Sequence, residues 1–220
     1  GVTNGVSRYY SIAAEKRDLW GYLKSSKQLM AYATIVVVMI AIALGVVLIA
    51  LDQSSWLSLM FLIVLFSIFT GFNGALSGVQ NAARQRPIVA LHAGLDAWLR
   101  IGMAVGMVIL LGSSSAAVVL GYFLSAFLVT MSQLFFLKRL LRRNAATHNE
   151  QCDQKWLEQM WAFSWPFSVW GIFTWAQQVS DRWALQTFTT TADVGQYAVV
   201  YQLGFAPIGL LVGLMVSLIA

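Results

Sequence analysis

The stretch "HAGLDAWLRIGMAVGMVILLG", residues 92–112, decides how this chain meets its surroundings. Its second half is continuously apolar; its first half carries an acid, Asp96, and a base, Arg100, four residues apart. The turn signal "GSSS" at residues 112–115 closes the apolar part, leaving only the short run 101–111 before it. A membrane-spanning helix needs about 20 mostly apolar residues. To cross, the helix must therefore reach back to about Ala90 and take in both charges. Pro87 suits its first turn, where a missing N–H costs nothing. A span of about 89–111 then holds Arg100 near its middle. The competing reading is a short re-entrant or interfacial helix, which would upset the sidedness of the loops.

Working outward, uncharged runs cover residues 28–51, 53–83, 101–137, 159–180 and 194–220. They are continuous rather than alternating, which favours helices over barrel strands, the two structures able to satisfy their own backbone in lipid. Dividing the third run at its turn predicts six spans: about 28–51, 55–77, 89–111, 116–137, 160–180 and 195–219. Charge tests them. Arg8, Lys16, Arg17, Lys24, Lys27, Arg84, Arg86, Lys138, Arg139, Arg142, Arg143 and Lys155 all fall on one side, and only Arg182 in the loops of the other. By the positive-inside rule the side rich in bases is cytoplasmic.

Composition agrees. The chain is 59% hydrophobic and 10% charged, against roughly 25% charged in soluble domains. A net charge of +5 might suggest nucleic acid, but the bases lie in short segments between apolar runs, so no nucleic-acid partner is expected. One cysteine, Cys152, excludes an internal disulfide framework. Beginning at Gly1 and ending at Ala220 within an apolar run, the chain reads as an internal piece of a longer protein. The fold class expected is an all-α polytopic membrane bundle. Residues 1–137 would form the C-terminal part of one helical bundle, 138–159 a cytoplasmic inter-bundle loop, and 160–220 the start of a second bundle. In that loop "KRLLRR" is an ordinary topology signal before it is an anionic-lipid site, and His148 and Cys152 alone make no metal site.

Within the spans, His92, Asp96 and Arg100 at i, i+4 and i+8 occupy neighbouring positions of one helix. A charge at the bilayer centre costs about 2.5–3.5 kcal/mol on insertion scales, so such residues face a bundle interior or a wet cavity and pair with each other. The bland alternative is a static pair that fastens helices. Asn73, Gln80, Gln133, Gln177 and Gln178 could line a cavity or hydrogen-bond between helices. Gly74 and Gly78, Gly102 and Gly106, and Gly209 and Gly213 are small residues at the four-residue spacing of close helix packing. Pro166 and Pro207 fall inside spans and are expected to kink them. Trp170 and Trp175 lie deep in the fifth span, where packing is a simpler role than stacking on a sugar. Asp181 and Arg182 close that span on the outer side and are read as a gate or interface pair. Nothing in the sequence forms a catalytic triad, a phosphate loop or a metal cluster, so neither an enzyme nor a cofactor is expected.

Three stretches carry a resemblance. "GVSRYYSIAAEKRDLWGYLKSS" resembles the basic connection before a span in polysaccharide-type flippases, and "FNGALSGVQNAARQRPIVALHAGLDAWLR" the segment joining the next two helices. "FSWPFSVWGIFTWAQQVSDRWALQTFTTTADVGQYAVVYQLGFAPI" resembles the start of their second half. The family is the oligosaccharide flippase branch of the multidrug/oligosaccharidyl-lipid/polysaccharide exporter superfamily. The resemblance implies two pseudo-symmetric bundles, of which this chain would hold helices three to eight. It further implies a bacterial inner-membrane protein that carries lipid-diphosphate-linked oligosaccharide outward by alternating access. The expected partners are that substrate, membrane lipids and glycan-assembly proteins. Arg100, with Asp96, His92 and Asn73, is the candidate cavity set: Arg100 would attract the diphosphate and Asp96 would hold the guanidinium in its absence. A multidrug antiporter of the same superfamily, a polymerase or ligase of polysaccharide assembly, and a membrane scaffold are the competing classes. The short outer loops argue against the second.

Overall fold

The computed structural model describes residues 2–144 and 155–219. All regular structure among them is helical: α1 (Val2–Glu15), α2 (Leu19–Ala50), a 3-10 turn (Ser54–Trp56), α3 (Leu57–Ala82), α4 (Arg86–Leu111), α5 (Ser115–Asn144), α6 (Trp156–Phe188) and α7 (Thr191–Ile219). Helices α2 to α5 are long and apolar enough to cross a membrane. Helices α6 and α7, with 33 and 29 residues, have the length; six tryptophans between residues 156 and 183 hold down the apolarity of α6. The chain is a multi-pass, all-α membrane protein. Its lipid-facing surface shows in the outward side chains of α2, where Ile35, Met39, Ile42, Val46 and Ile49 are all more than half exposed. A soluble monomer rarely shows so continuous an apolar face.

The helix ends follow local chemistry. Asp18 caps α2, its Oδ1 accepting from the Gly21 N–H at 3.1 Å. Pro87 sits in the first turn of α4. The turn read at residues 112–115 is present: Gly112 leaves α4 at φ 90°, a value that suits a residue without Cβ, and Ser114 Oγ accepts from the Ala117 N–H at 3.1 Å. Arg17, Asp52 and Arg84 take the left-handed conformation with φ near 57–60°. Each is followed by a return bond to the preceding helix, Asp18 N–H to Ala13 O, Gln53 N–H to Leu48 O and Gln85 N–H to Gln80 O, the pattern that ends helices by satisfying their last carbonyls.

Two compact units partition the chain, residues 1–168 and 169–220. Of the 138–159 segment, residues 145–154, with His148 and Cys152, lie outside the described residues. In the first unit α3 is central, touching α1, α2, α4 and α5, while α4 packs along α5. The small-residue expectations divide. Gly74 and Gly78 do meet another helix, α1, at Thr3 and Ser7. Gly102 and Gly106 have open space where a Cβ would stand, which corrects their assignment to a packing face. The close α4–α5 contact is made instead by Gly121 against the backbone of Ala104. The surroundings of Gly209, Gly213 and Pro207 lie outside the described residues. Pro166 lies within α6, which continues to Phe188.

Helix α1 is the largest departure from expectation. Residues 1–27 read as a polar connection, yet Val6, Tyr10 and Ala13 line one face of a helix and are buried. They join Tyr22, Leu29, Val79, Trp156 and Met160 in one cluster, with Ala82, Ala83 and Leu137 against it. Burial pushes the Tyr10 phenol above its ordinary value, so the cluster stays uncharged at neutral pH. This cluster draws the α1–α2 turn, the α3–α4 turn, the end of α5 and the start of α6 to one end of the first unit. These are the segments that carry the bases.

Candidate functional site

Thr70, Asn73, Gly74 and Ser77 recur at i, i+3, i+4 and i+7, so they form one stripe of α3. Facing them, His92, Ala93 and Asp96 come from α4 and Gln133 from α5. Together they line a cleft of about 240 Å³ in the first unit. Six of its eight lining residues carry polar side chains. Gln133 Nε2 donates to Ser77 Oγ at 2.9 Å, and Gln80 Nε2 donates to the Gln133 carbonyl at 3.3 Å. Buried Thr70 Oγ1, Gln133 Oε1 and Asp96 Oδ1 have no hydrogen-bond partner among the described residues. Unpaired oxygens in lipid are costly, and a cleft of this size admits several waters at about 30 Å³ each.

Asp96 and Arg100 form the ion pair that their spacing predicts, Arg100 Nη2 to Asp96 Oδ2 at 2.5 Å. The guanidinium also lies 5.5 Å above the Phe66 ring, a cation–π contact. Arg100 keeps 36% of its side chain exposed and Asp96 only 18%, so the base is the more accessible of the two. Asp96 lines the cleft while Arg100 stands one turn beyond it. Counted along α4, Arg100 is about 21 Å from the helix start and about 16 Å from its end at 1.5 Å per residue. It is therefore central in the helix, as the opening stretch required.

His92 is placed differently from a free ligand-binding group. It is 1% exposed, with Nδ1 2.8 Å from the Ile88 carbonyl and Nε2 3.1 Å from Ser132 Oγ. Its ring meets Phe136 edge-on. Both nitrogens are engaged, so His92 ties α4 to α5 from the cleft wall. Asn73, half-buried on α3, faces the cleft. Thr70 and Ser77 escaped sequence reading because single hydroxyls on an apolar helix carry no signal until a neighbouring helix is placed beside them.

Asp181 and Arg182 lie in the second unit and make no ion pair with each other among the described residues. Adjacent positions on a helix point about 100° apart. Asp181 Oδ2 accepts from the Tyr197 hydroxyl at 3.3 Å, whereas Arg182 lines a separate cleft with Gln178, Tyr201, Gln202 and Phe205. The gate reading of the two as mutually attracting partners thus gains no contact. A third groove, of about 580 Å³ between α2 and the start of α6, is walled by Leu29, Tyr32, Leu157 and Trp161. It bears only the exposed Lys155–Glu158 pair at 3.7 Å and is an open, apolar surface.

Against known proteins, the model of the family described as "Polysaccharide biosynthesis protein" matches residues 1–219. No curated protein and no solved structure matches the chain.

Proposed function

The chain belongs to the polysaccharide biosynthesis protein family, the polysaccharide/oligosaccharide flippases of the multidrug/oligosaccharidyl-lipid/polysaccharide exporter superfamily, and from that membership we propose that it flips lipid-diphosphate-linked oligosaccharide across a bacterial inner membrane. In this proposal the chain is a transporter and not an enzyme, α6 and α7 span the bilayer along with α2 to α5, and the two bundles give alternating access. The observation that carries it is the Asp96–Arg100 pair, held at mid-helix beside a polar cleft. A guanidinium binds phosphate oxygens through two parallel hydrogen bonds, which a lysine ammonium cannot reproduce. The diphosphate competes with Asp96 for Arg100, and the freed carboxylate turns back to the cleft, where its Oδ1 already has no partner. His92 and Asn73 support that cleft. The test is surface polysaccharide in a flippase-deleted host carrying each full-length variant, normalised to protein in the membrane. Arg100→Lys lowers polymer, and Arg100→Ala nearly abolishes it. Wild-type polymer from Arg100→Ala at equal expression removes Arg100 from the path.

One observation favours a second reading. The only charged residue on the cleft is a carboxylate, surrounded by neutral oxygens, an arrangement that suits a cation antiporter of the same superfamily. That reading predicts drug efflux, with no effect on polymer.

A further inference from the structure

The second unit holds a cleft that the transport scheme leaves unused. Gln178 and Arg182 of α6 and Tyr201, Gln202 and Phe205 of α7 line about 240 Å³. Helical spacing assembles it: 178 and 182 are one turn apart on α6, as are 201 and 205 on α7. The two sides are also level. Gln178 is ten residues before the end of α6 and Tyr201 ten residues after the start of α7, so each is about 15 Å from the turn that joins them.

Its chemistry has two parts. Tyr201 and Phe205 stack with 8° between their planes and centroids 5.6 Å apart, and Tyr197 continues the row 5.9 Å from Tyr201. Beside this platform, the side chains of Gln178, Arg182 and Gln202 have no hydrogen bond or ion pair with another described residue. The two amides each offer donors and an acceptor, and the guanidinium offers N–H donors in a fixed fork. On the same two helices Ile172, Phe173, Val199, Val200 and Leu203 are exposed apolar side chains. Three unpaired polar groups among them are expensive against hydrocarbon and mark where a polar partner comes.

We infer that this cleft binds a sugar ring, through flat aromatic contact with the ring's C–H face and amide and guanidinium hydrogen bonds to its hydroxyls. Other occupants fit worse. A phosphate would use Arg182 and the amide N–H donors but gain nothing from the rings and leave the amide carbonyls unused. A lipid tail would leave all three polar groups unpaired. A pyranose satisfies both parts at once. The inference rests on the flippase reading, whose substrate carries a glycan, and it assigns that glycan a contact separate from the diphosphate at Arg100.

The experiment uses full-length protein in detergent and two probes: the oligosaccharide released by mild acid from the host's lipid-linked repeat unit, and inorganic pyrophosphate. Calorimetry measures each affinity. Gln178, Tyr201 and Gln202 are exposed, so substitutions there spare the packing. Gln178→Ala, Gln202→Ala and Tyr201→Ala each weaken oligosaccharide binding by about tenfold or more, or about 1.4 kcal/mol; Tyr201→Phe, which keeps the ring, stays near wild type. Pyrophosphate binding does not change in any of them. Absence of oligosaccharide binding, or binding indifferent to all three alanines, overturns the inference. So does an Arg182→Gln variant that loses pyrophosphate and keeps oligosaccharide, which would make the cleft a phosphate site. Polymer restoration by the wild type, measured in parallel, separates the two claims. Restoration with binding unmoved by the alanines sinks the cleft alone, whereas failure to restore polymer sinks the flippase reading itself.

Discussion

A methyl group at position 121 would have nowhere to go. A Cβ on Gly121 would stand 2.5 Å from the Ala104 Cα and 2.6 Å from its nitrogen, and backbone atoms cannot step aside as a flexible side chain does. Gly121→Ala should therefore push α4 and α5 apart. Overpacking of this kind costs about 1–3 kcal/mol, and the purified protein should melt at lower temperature than the wild type. Gly102→Ala, facing open space inside a helix, should keep or slightly raise the melting temperature; equal losses at both positions would contradict the packing. At this scale the sequence was readable where partners are local. The Asp96–Arg100 pair follows from four-residue spacing on one helix, and it is present. His92 does line the cleft, but its tie to Ser132, forty residues away on α5, was not visible in the sequence. Likewise, adjacency in sequence made Asp181 and Arg182 look like a pair, although on a helix neighbours diverge and Asp181 takes Tyr197 instead.

Helices α2 to α5 were legible because lipid demands long uncharged runs, and a glycine–serine turn punctuates the longest of them. Helix α1 was hidden by composition: it is short and mixed, with one base and one acid, Arg8 and Glu15, and only Val6, Tyr10 and Ala13 betray its buried face. Its role emerges from contacts across the chain. Tyr22 Oη donates to the Val6 carbonyl at 2.6 Å, and Trp156 Nε1 donates to Asp18 Oδ2 at 2.7 Å, linking the start of α6 to the cap of α2. Trp156→Phe keeps the ring and removes this donor. A hydrogen bond to a charged group is worth about 1.5–3 kcal/mol, so the variant should lose stability in thermal melts while still inserting. Unchanged melting would show that the indole N–H does not fasten α6. The same cluster gathers the basic turns at one end, which predicts sidedness directly. With Cys152 replaced by serine, a cysteine at Ala14 should resist an impermeant thiol reagent in intact cells, and one at Gln53, in the opposite turn, should react. The reverse pattern would invert the topology.

The first unit combines an apolar outer surface, a basic end and a cleft lined by polar side chains, and the second unit carries a cleft of its own. An apolar face as continuous as that of α2 suits lipid or another apolar helix, whereas oxygens of Thr70, Asp96 and Gln133 without a partner among the described residues suit water or a polar cargo. Placing a guanidinium at the middle of α4 costs insertion energy that the Asp96 pair offsets only in part, and on the flippase reading the return on that cost is phosphate recognition during passage. In that proposal the family supplies the class of cargo and Arg100 a site on its path. The most direct measurement follows the cargo itself. Full-length protein is reconstituted in liposomes with a fluorescent polyprenyl-diphosphate-linked repeat unit, and the glycan reaching the opposite leaflet is counted by its access to a membrane-impermeant lectin. The wild type should expose glycan steadily, Arg100→Lys more slowly, and Arg100→Ala at the rate of protein-free liposomes. Equal rates for the wild type and Arg100→Ala, at equal incorporation, would contradict the account.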